Sequence, residues 1–343
     1  MTVHAYAAHS EHARLEPYAY DPGSLGPEEV DVAVTHCGIC HTDAAMVDNE
    51  WGFSIYPVVP GHEVVGMVSA VGSNVDRTRL DVGRRVGVGA LCGSCMRCEW
   101  CLSGRQHVCP QVVGTVMGGH RGGFATHVRV SNWQFAHAIP DAIASEHAGP
   151  LLCAGTTVFT PLLRYGVRPV DRVAVVGVGG LGHLALQYLA AWGCDVTAIT
   201  STPDKADQAR GFGAAHVIAT GGRNGRGTAE LEQAAAQFDF ILSTVSADLP
   251  WDRYVAALRP GGTLCVVGIP PHAVAVAPFG LIGGEKRVVG GQPGSLVETA
   301  QMLAFSARHG VTPAVELFPM AEADRALDHT RRGAARFRAV LVA

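Results

Sequence analysis

Charged residues are scarce in this chain, and no stretch of it is strongly basic. They make up 16% of the 343 residues, and 30 Asp and Glu against 26 Lys and Arg give a formal net charge of -4. Proteins that bind phosphate backbones need clustered Lys and Arg, so this balance argues against nucleic acid as a partner. A small molecule is the expected partner.

The chain also lacks a long uninterrupted apolar run. Its most apolar region, 173–192, contains four glycines together with His183 and Gln187. A buried strand followed by a helix explains this region better than a membrane span. Residues 1–6 have no charged start before an apolar core, so we expect no signal peptide and a cytoplasmic protein without a membrane.

Length and composition favour two domains. A chain of 343 residues is too long for one ordinary core, and its 48% hydrophobic content is sufficient to fill two. Its ten cysteines should remain reduced in the cytoplasm, so no disulfide framework is expected. Metal binding is then the leading use for the cysteines that lie close together in sequence.

Two short segments of the first third offer metal ligands. Residues 37–43 read Cys-Gly-Ile-Cys-His-Thr-Asp, and residues 61–63 read Gly-His-Glu. Sulfur, imidazole and carboxylate are the donors of a zinc ion that keeps one coordination position open for a substrate. In the alternative interpretation, Cys40 is a buried thiol and His62 a hydrogen-bonded core histidine.

Five cysteines between residues 92 and 109 form a second cluster. Four thiolates around one ion leave no open position, so this cluster predicts a structural zinc site. Either Cys92 or Cys109 is the spare, with Cys95, Cys98 and Cys101 common to both choices. An iron–sulfur cluster is the alternative, although the seven residues between Cys101 and Cys109 do not match the short gap of bacterial ferredoxins.

The pattern of secondary structure changes near residue 150. Before it, short strands at 30–35, 64–71, 85–89 and 124–130 separated by glycines are typical of a β-barrel. After it, strands alternate with helices, as in an α/β domain. Within that part we predict a turn at 259–262, Arg-Pro-Gly-Gly, between a helix at 251–258 and a strand at 263–268.

A glycine-rich turn connects a strand to a helix in the α/β part. The strand is 173–176 and the helix runs from about 181 to 192, with Gly193 at its end. The turn has the pattern G-x-G-x-x-G and consists of Gly177, Val178, Gly179, Gly180, Leu181 and Gly182. Glycines let the backbone approach a pyrophosphate, whose charge the helix N-terminus stabilises, so the segment predicts a dinucleotide site.

The end of the next strand, 195–200, distinguishes the two nicotinamide cofactors. An NAD site has an acidic residue there, and a carboxylate about 4 Å from a 2'-phosphate would repel it by roughly 4 kcal/mol at intermediate dielectric. This chain instead has Thr200, Ser201 and Thr202, followed by Lys205. Hydroxyls and a lysine favour NADP(H).

Taken together, these segments resemble the zinc-dependent medium-chain alcohol dehydrogenases, and within them the cinnamyl alcohol dehydrogenase group. The resemblance extends over the full length and rests on residues 37–43, 49–52, 56–66, 93–95, 150–157 and 177–183. It implies an α/β fold. A GroES-like β-barrel catalytic domain at 1–150 and 287–343 would carry a zinc lobe at 92–109, and a Rossmann domain with a doubly wound parallel sheet would occupy 151–286.

The resemblance implies two zinc ions per chain. The catalytic zinc would bind Cys40, His62 and Cys153. Glu63 would lie beside it, either as an alternating ligand or as a support that does not touch the metal, and Asp43 would orient the His62 ring. The structural zinc would be held by Cys95, Cys98, Cys101 and Cys109, which leaves Cys92 free.

The implied reaction is hydride transfer between NADP(H) and a primary alcohol or aldehyde. Thr42 would pass the proton of the substrate oxygen toward the cofactor ribose, and His41 would contact the cofactor pyrophosphate. The family usually completes this relay with a histidine five residues after the first zinc ligand. Here that position is Ala45, so His41 or water would replace it, or proton transfer would be slower.

Other residues are expected to contact the cofactor and the substrate. Further cofactor contacts are expected at Thr157, Val245, Val267, Gly268 and Ile269. Arg338, just before the last strand, would contact a cofactor phosphate, with a solvated charged turn as the alternative. The apolar walls of the substrate pocket, next to Thr42, would be Trp51, Val274, Pro278, Phe279 and Leu281, each of which has simple core packing as its alternative. We expect a medium-sized aldehyde, aromatic or branched.

Two other functions compete with this one, and an assembly is implied. The first is an NAD-preferring alcohol dehydrogenase of short-chain alcohols, and the second is a non-catalytic nucleotide or iron–sulfur binding protein on the same fold. The resemblance implies a homodimer, with a tetramer as the alternative.

Overall fold

The computed structural model describes residues 1–221 and 229–343, which form two compact units. The first unit comprises 1–156 and 293–343, and the second comprises 157–292. The chain passes into the second unit after residue 156 and returns to the first after residue 292. Each of these points lies six residues after the predicted domain boundary, at 150/151 and at 286/287. The segment that carries Cys153 therefore belongs to the first unit.

The first unit begins with short strands connected by turns and brief helices. The strands are β1 (Val3–Ala7), β2 (Glu16–Tyr20), β3 (Val30–Ile39), β4 (Glu63–Val71), β5 (Arg85–Val88), β6 (Leu91–Gly93), β7 (Val113–Gly114), β8 (His127–Val130) and β9 (His137–Ala138). The helices are α1 (His41–Val47), α2 (Glu99–Leu102) and α3 (Ser145–Pro150). A π-helical segment, Leu151–Gly155, leads into α4 (Thr156–Arg164).

The second unit alternates strands and helices. Its strands are β10 (Arg172–Val176), β11 (Asp195–Thr200), β12 (His216–Ala219), β13 (Phe238–Ser243), β14 (Leu258–Val266) and β15 (Arg287–Gly290). Its helices are α4, of which only Thr156 belongs to the first unit, and α5 (Gly182–Trp192), α6 (Ala206–Gly211), α7 (Ala229–Gln233), α8 (Trp251–Ala257) and α9 (Pro278–Ile282).

The end of the chain returns to the first unit. It forms α10 (Leu296–His309), β16 (Val315–Pro319), α11 (Ala323–Arg331) and β17 (Arg338–Val342). Strand β17 pairs antiparallel with the second half of β3, from Ala339 opposite Ile39 to Val342 opposite His36. The last strand therefore completes the sheet that the third strand begins.

Strand β3 is the centre of the main sheet of the first unit. The order is β16-β17-β3-β4-β5-β9, and β8 also pairs with β3. Four valines of β3 and β4 that face the interior are at most 2% exposed: Val30, Val32, Val64 and Val68. Burying apolar side chains of this size contributes roughly 1.5–3 kcal/mol each, so the sheet is a rigid support for the loops at its ends.

The sheet of the second unit is parallel throughout, with the order β12-β11-β10-β13-β14-β15. The strand order reverses between β10 and β13, and ligands of such sheets bind at the carboxyl ends of the strands around this point. Helix α5 follows β10 and ends at Gly193, whose φ of 101° is the left-handed conformation that favours glycine.

One predicted turn is absorbed into a strand. Residues 259–262, read as a turn from Arg-Pro-Gly-Gly, lie within β14. They form an irregularity in its pairing with β13, because Phe238 lies opposite Leu258 and Phe240 opposite Thr263. The extra residues protrude from the ladder instead of ending it. In residues 1–221 and 229–343, no helix is both long enough and apolar enough to cross a membrane.

Candidate metal centres and nucleotide-binding turn

Three ligand atoms meet in the buried interior of the first unit. The Nε2 atom of His62 lies 3.2 Å from Cys40 Sγ and 3.2 Å from Cys153 Sγ, and the two sulfurs are 3.9 Å apart. None of the three residues is more than 9% exposed. The Cys153 thiol lowers the pKa of Cys40 well below its usual value, which favours the thiolate that a metal binds.

The local sequence explains how these residues reach one point. Cys40 is the N-cap of α1, and its backbone N–H donates to Asp43 in a capping box. His62 follows Gly61, whose φ is 107° and whose Cα lies so close to Gly123 that a side chain would collide with the backbone there. Cys153 lies in the π-helical segment, a form of helix that is often found at functional sites.

Asp43 fixes the orientation of the His62 ring. Its Oδ1 atom accepts a hydrogen bond from Nδ1 of His62 at 2.9 Å and another from the Gly61 N–H at 2.8 Å. Both side chains are buried, at 0% and 1% exposure. With Nδ1 as the donor, the lone pair of Nε2 is directed at the two sulfurs, which is the tautomer that a metal-bound histidine requires.

Glu63 and Arg338 form a buried ion pair beside the three ligands. Glu63 Oε1 accepts a hydrogen bond from Nη2 of Arg338 and lies 4.0 Å from Nε2 of His62. Burial raises the pKa of Glu63, while the Arg338 guanidinium acts in the opposite direction. A side chain at Gly38 would meet Glu63 Oε2 at 2.0 Å, so the glycine leaves the space that the carboxylate occupies.

The donor set fits a zinc ion with one position free. Two sulfurs and one imidazole are the protein ligands of a catalytic zinc site, and Glu63 adds a carboxylate to the same group. Its Oε2 atom is buried and has no hydrogen-bond partner among the described residues. Because a buried carboxylate oxygen without a partner is costly, a cation is the group that would satisfy it.

The cysteine cluster holds four sulfurs around a second point. The Sγ atoms of Cys109 and Cys95 are 3.5 Å apart, those of Cys98 and Cys109 are 3.7 Å apart, and those of Cys95 and Cys101 are 3.9 Å apart. A tetrahedral zinc with Zn–S bonds of about 2.3 Å sets its sulfurs about 3.8 Å apart. This spacing has room for one ion and not for a cluster of several irons. Cys92 lies outside the group. The structure therefore brings together Cys95, Cys98, Cys101 and Cys109 and leaves Cys92 as the spare cysteine.

The glycine-rich turn lies where β10 ends and α5 begins. Gly177 has a φ of 93° and packs against Val245, and Gly182 packs against the Gly177 carbonyl, so neither has room for a side chain. Gly268 is equally close to the Val245 backbone, whereas a Cβ atom at Gly179 would meet no other atom within 4 Å. The carboxyl ends of β10, β13 and β14 thus converge at a turn whose Gly179 backbone is open to a ligand.

The last residue of β11 and the residues that follow it differ in their accessibility. Thr200 is only 3% exposed, so its hydroxyl is inside the unit and the accessible hydroxyls are those of Ser201 and Thr202. Nζ of Lys205 donates to the Val178 carbonyl at 3.3 Å, which places the lysine at the glycine-rich turn. The other predicted cofactor residues of this unit vary as widely, from Thr157 at 8% exposure to Ile269 at 57%, with Val267 partly buried between them.

The predicted pocket residues fall into three environments. Trp51 is partly buried and stacks on Phe53, with ring centroids 5.8 Å apart. Val274 and Leu281 are partly buried and pack against the core of the second unit, which supports their core interpretation. Pro278 and Phe279 are exposed, Phe279 at 85%.

Residues of α1 show what the first unit offers for proton transfer. Thr42 is partly buried, and its backbone N–H donates to Cys40 Sγ at 3.3 Å. Nε2 of His41 lies 3.1 Å from Glu50 Oε2 at the surface. Ala45 is 1% exposed, so a relay histidine at this position would have to enter a filled core.

Sequence reasoning missed the role of Arg338. The prediction placed it against a cofactor phosphate, but its side chain is 5% exposed and pairs with the Glu63 carboxylate instead. The two residues are 275 positions apart, so no local pattern could reveal the pair. The one available signal was an arginine at the start of a strand otherwise made of buried residues, since such a charge needs a partner.

Comparison with known proteins places the chain in a family. The protein-family model described as "Alcohol dehydrogenase GroES-like domain" matches residues 26–141, and the family model described as "Zinc-binding dehydrogenase" matches residues 180–308. The chain belongs to the zinc-dependent alcohol dehydrogenase family. The predicted fold of a GroES-like domain with a Rossmann domain is confirmed, as is the predicted oxidoreductase class.

Individual relatives are similar over almost their whole length. "Aldehyde reductase AdhA" of Synechocystis sp. (strain ATCC 27184 / PCC 6803 / Kazusa) is 41% identical over 99% of this chain and 98% of its own. The Sorghum bicolor cinnamyl alcohol dehydrogenase SbCAD4 superposes with a TM-score of 0.93 at 37% identity, covering 100% of this chain and 98% of its own. A cinnamyl alcohol dehydrogenase from Helicobacter pylori, solved as a complex with NADP(H), gives a TM-score of 0.90 at 30% identity, with coverages of 100% and 98%.

Proposed function

We propose that this chain is an NADPH-dependent zinc alcohol dehydrogenase that reduces medium-sized aldehydes, aromatic ones in particular. The observation that carries the proposal is the convergence of Cys40, His62 and Cys153 on one buried point. The relatives support the substrate class, because they are described as an aldehyde reductase and as cinnamyl alcohol dehydrogenases.

The first unit would bind the catalytic metal through Cys40, His62 and Cys153. When bound, zinc supplies a Lewis acid for the substrate oxygen, and NADPH supplies the hydride. Asp43 holds the His62 ring in the ligand tautomer through its 2.9 Å hydrogen bond. The Arg338 guanidinium holds Glu63 close to the three ligands, so the carboxylate is a fourth donor within reach of the metal.

Thr42 is the residue placed to handle the proton. It is two positions after Cys40 on α1 and carries the hydroxyl closest in sequence to the ligand. The residue before Thr42 on the helix is His41, which pairs with Glu50 at the surface. With Ala45 buried and unable to carry a proton, we assign the exit to water beside Thr42 and His41.

Cofactor preference would come from three residues of the second unit. Ser201 and Thr202 offer accessible hydroxyls, and Lys205 offers a cation at the glycine-rich turn. A 2'-phosphate accepts hydrogen bonds from all three groups, and hydrogen bonds to charged partners contribute about 1.5–3 kcal/mol. Thr200 is buried and would act only as support for this strand end.

A homodimer formed through the second unit is the proposed assembly. Strand β15 is at the edge of the parallel sheet, and α9, just before it in sequence, exposes Phe279 at 85% and Ile282 at 74%. Large apolar side chains and an open strand edge are stable in solution when another chain covers them. A two-fold pairing of β15 with its counterpart would cover both.

The test is the initial rate of cofactor oxidation with cinnamaldehyde, measured side by side with NADPH and NADH. The proposal predicts a strong preference for NADPH, and in Lys205→Ala a KM for NADPH raised about 10- to 100-fold with little change for NADH. Arg210→Ala is the control, because Arg210 lies exposed on α6 and pairs only with Asp207 in the described structure. Turnover with NADH alone would overturn the cofactor assignment, and no turnover by zinc-loaded protein would overturn the substrate class.

A further inference from the structure

Helix α1 is short for the chemistry that it carries. It has seven residues, His41–Val47, and its start holds Cys40 at the N-cap, followed by Thr42 and Asp43. Isolated helices of fewer than about 12 residues are marginal in water, so contacts with the rest of the first unit must hold α1 in place. The position of the Thr42 hydroxyl therefore depends on those contacts.

The other end of α1 is bound by an arginine from the last part of the chain. Arg331, the last residue of α11, donates from Nε to Asp48 Oδ2 at 2.8 Å and from Nη2 to Asp48 Oδ1 at 3.0 Å. Asp48 is the C-cap of α1 and only 8% exposed. His12 also reaches it, with Nδ1 3.2 Å from Oδ1, but this histidine is 70% exposed. The paired hydrogen bonds of Arg331 fix direction as well as distance.

Apolar packing brings α1 and α11 together without setting their relative position. Buried residues of both helices belong to one core cluster: Ala44, Met46, Val47, Ala323, Ala326 and Leu327. Apolar contacts are non-directional, so they allow one helix to shift along the other. The Arg331–Asp48 pair is directional, and Arg331 is itself held near its own helix, with Nη1 3.8 Å from Asp328 Oδ1.

The loop that follows Asp48 returns to the start of the helix. Asn49 has a φ of 52°, which turns the chain at this point. Glu50 Oε2 then lies 3.1 Å from Nε2 of His41, the residue next to Thr42. Asp48 is thus joined to the start of α1 both through the helix itself and through this loop.

We propose that Arg331 is a positioning residue, whose paired hydrogen bonds to Asp48 set the place of α1 and thereby of the Thr42 hydroxyl beside Cys40. This inference rests on the proposed function, in which Thr42 handles the proton of the substrate oxygen. Arg331 acts through Asp48 and not on the substrate. A misplacement of about 1 Å can cost as much as 10²-fold in rate, so the effect of losing the pair is measurable.

The experiment compares zinc-loaded Arg331→Met and Asp48→Asn with the unaltered protein. Reduction of cinnamaldehyde by saturating NADPH is followed in H₂O and in D₂O. In Arg331→Met we expect a kcat about tenfold lower and a larger solvent isotope effect, because proton transfer at Thr42 becomes slower, with an unchanged KM for NADPH. Asp48→Asn keeps one acceptor oxygen and should show a smaller change in the same direction. Arg332→Met is the matched control, since Arg332 is 68% exposed and pairs with Asp328.

Partial misfolding would lower kcat without changing the solvent isotope effect, so that result would overturn the positioning role, as would kinetics equal to those of Arg332→Met. Hydrogen–deuterium exchange of the amides of residues 41–50 gives a readout that needs no turnover. Exchange should be faster in Arg331→Met than in Arg332→Met, and equal exchange would overturn the inference. Absence of aldehyde reduction by the unaltered protein would overturn the proposed function instead, and exchange would still decide whether Arg331 fixes α1.

Discussion

At the scale of single residues, the most constrained group is the Glu63–Arg338 pair. Both side chains are almost fully buried, at 0% and 5% exposure, and Arg338 Nε and Glu63 Oε2 have no hydrogen-bond partner among the described residues. A buried pair of this kind contributes little net stability, but losing one member leaves an uncompensated charge. The pair therefore positions Glu63 beside the metal ligands at the risk of instability if either partner changes.

Arg338→Met should lower the free energy of unfolding by about 3–5 kcal/mol, because it leaves the Glu63 carboxylate buried without its cation. Adding Glu63→Gln to Arg338→Met should restore part of this loss, since the carboxylate is then neutral. Urea unfolding of the two variants measures both effects. Arg332→Met is the matched control, because Arg332 is 68% exposed and its pair with Asp328 should contribute less than about 1 kcal/mol. An Arg338→Met variant as stable as this control would contradict the assignment.

At the scale of elements, local patterns predicted what local forces decide. The N-terminal end of α5, its Gly193 terminus and the bounds of β11 could be predicted because glycine conformation and apolar runs act within a few residues. The structure of residues 259–262 could not be predicted in this way. Their sequence signals a turn, but it does not show that strand β13 pairs with the chain both before and after this segment. Pairing between distant strands also decided which arginine meets Glu63.

Strand β9 carries a histidine that should make stability depend on pH. His137 lines a small cavity with Phe135 and Leu152, and burial lowers its pKa to about 4 from 6.5. As the pH falls below 6.5, the unfolded chain takes up the proton before the folded one does, so stability decreases between pH 6.5 and 4. The loss should reach up to about 3 kcal/mol.

The measurement is urea unfolding at pH 7, 5.5 and 4.5 for the unaltered protein, His137→Gln and His272→Gln. The His137→Gln variant should lose less stability on acidification than the other two, because it removes the group that protonates only on unfolding. His272 is 80% exposed and serves as the control. Identical pH dependence in all three proteins would show that burial of His137 has no such effect.

At the scale of the whole molecule, sequence motifs indicated the two groups of candidate metal ligands that the structure brings together, but they could not indicate the face that we propose for a second chain. The ligands Cys40, His62 and Cys153 belong to motifs whose spacing is characteristic, and the four-cysteine group was one of two choices until the structure separated Cys92 from it. Exposure of Phe279 and Ile282 depends on how α9 is placed on its unit, which no short pattern records.

Charged substitutions on α9 should dissociate the proposed dimer. Phe279→Asp or Ile282→Asp places a carboxylate in a face that association would bury, so light scattering after gel filtration should report the mass of a monomer. Val170→Asp, at a position 81% exposed elsewhere in the second unit, should leave the mass unchanged. A monomeric unaltered protein, or variants that remain dimeric, would contradict the proposed interface.

The Cys40–His62–Cys153 site should hold the zinc on which aldehyde reduction depends, and one measurement addresses this most directly. Zinc per chain and the rate of NADPH oxidation with cinnamaldehyde are determined together for the unaltered protein, Cys153→Ser and Cys265→Ser. Cys265 is a buried cysteine outside both ligand groups and is the control. We predict two zinc ions and full activity for the unaltered protein and the control, and one zinc with activity lost for Cys153→Ser. Two zinc ions with full activity in Cys153→Ser would contradict this role of the site.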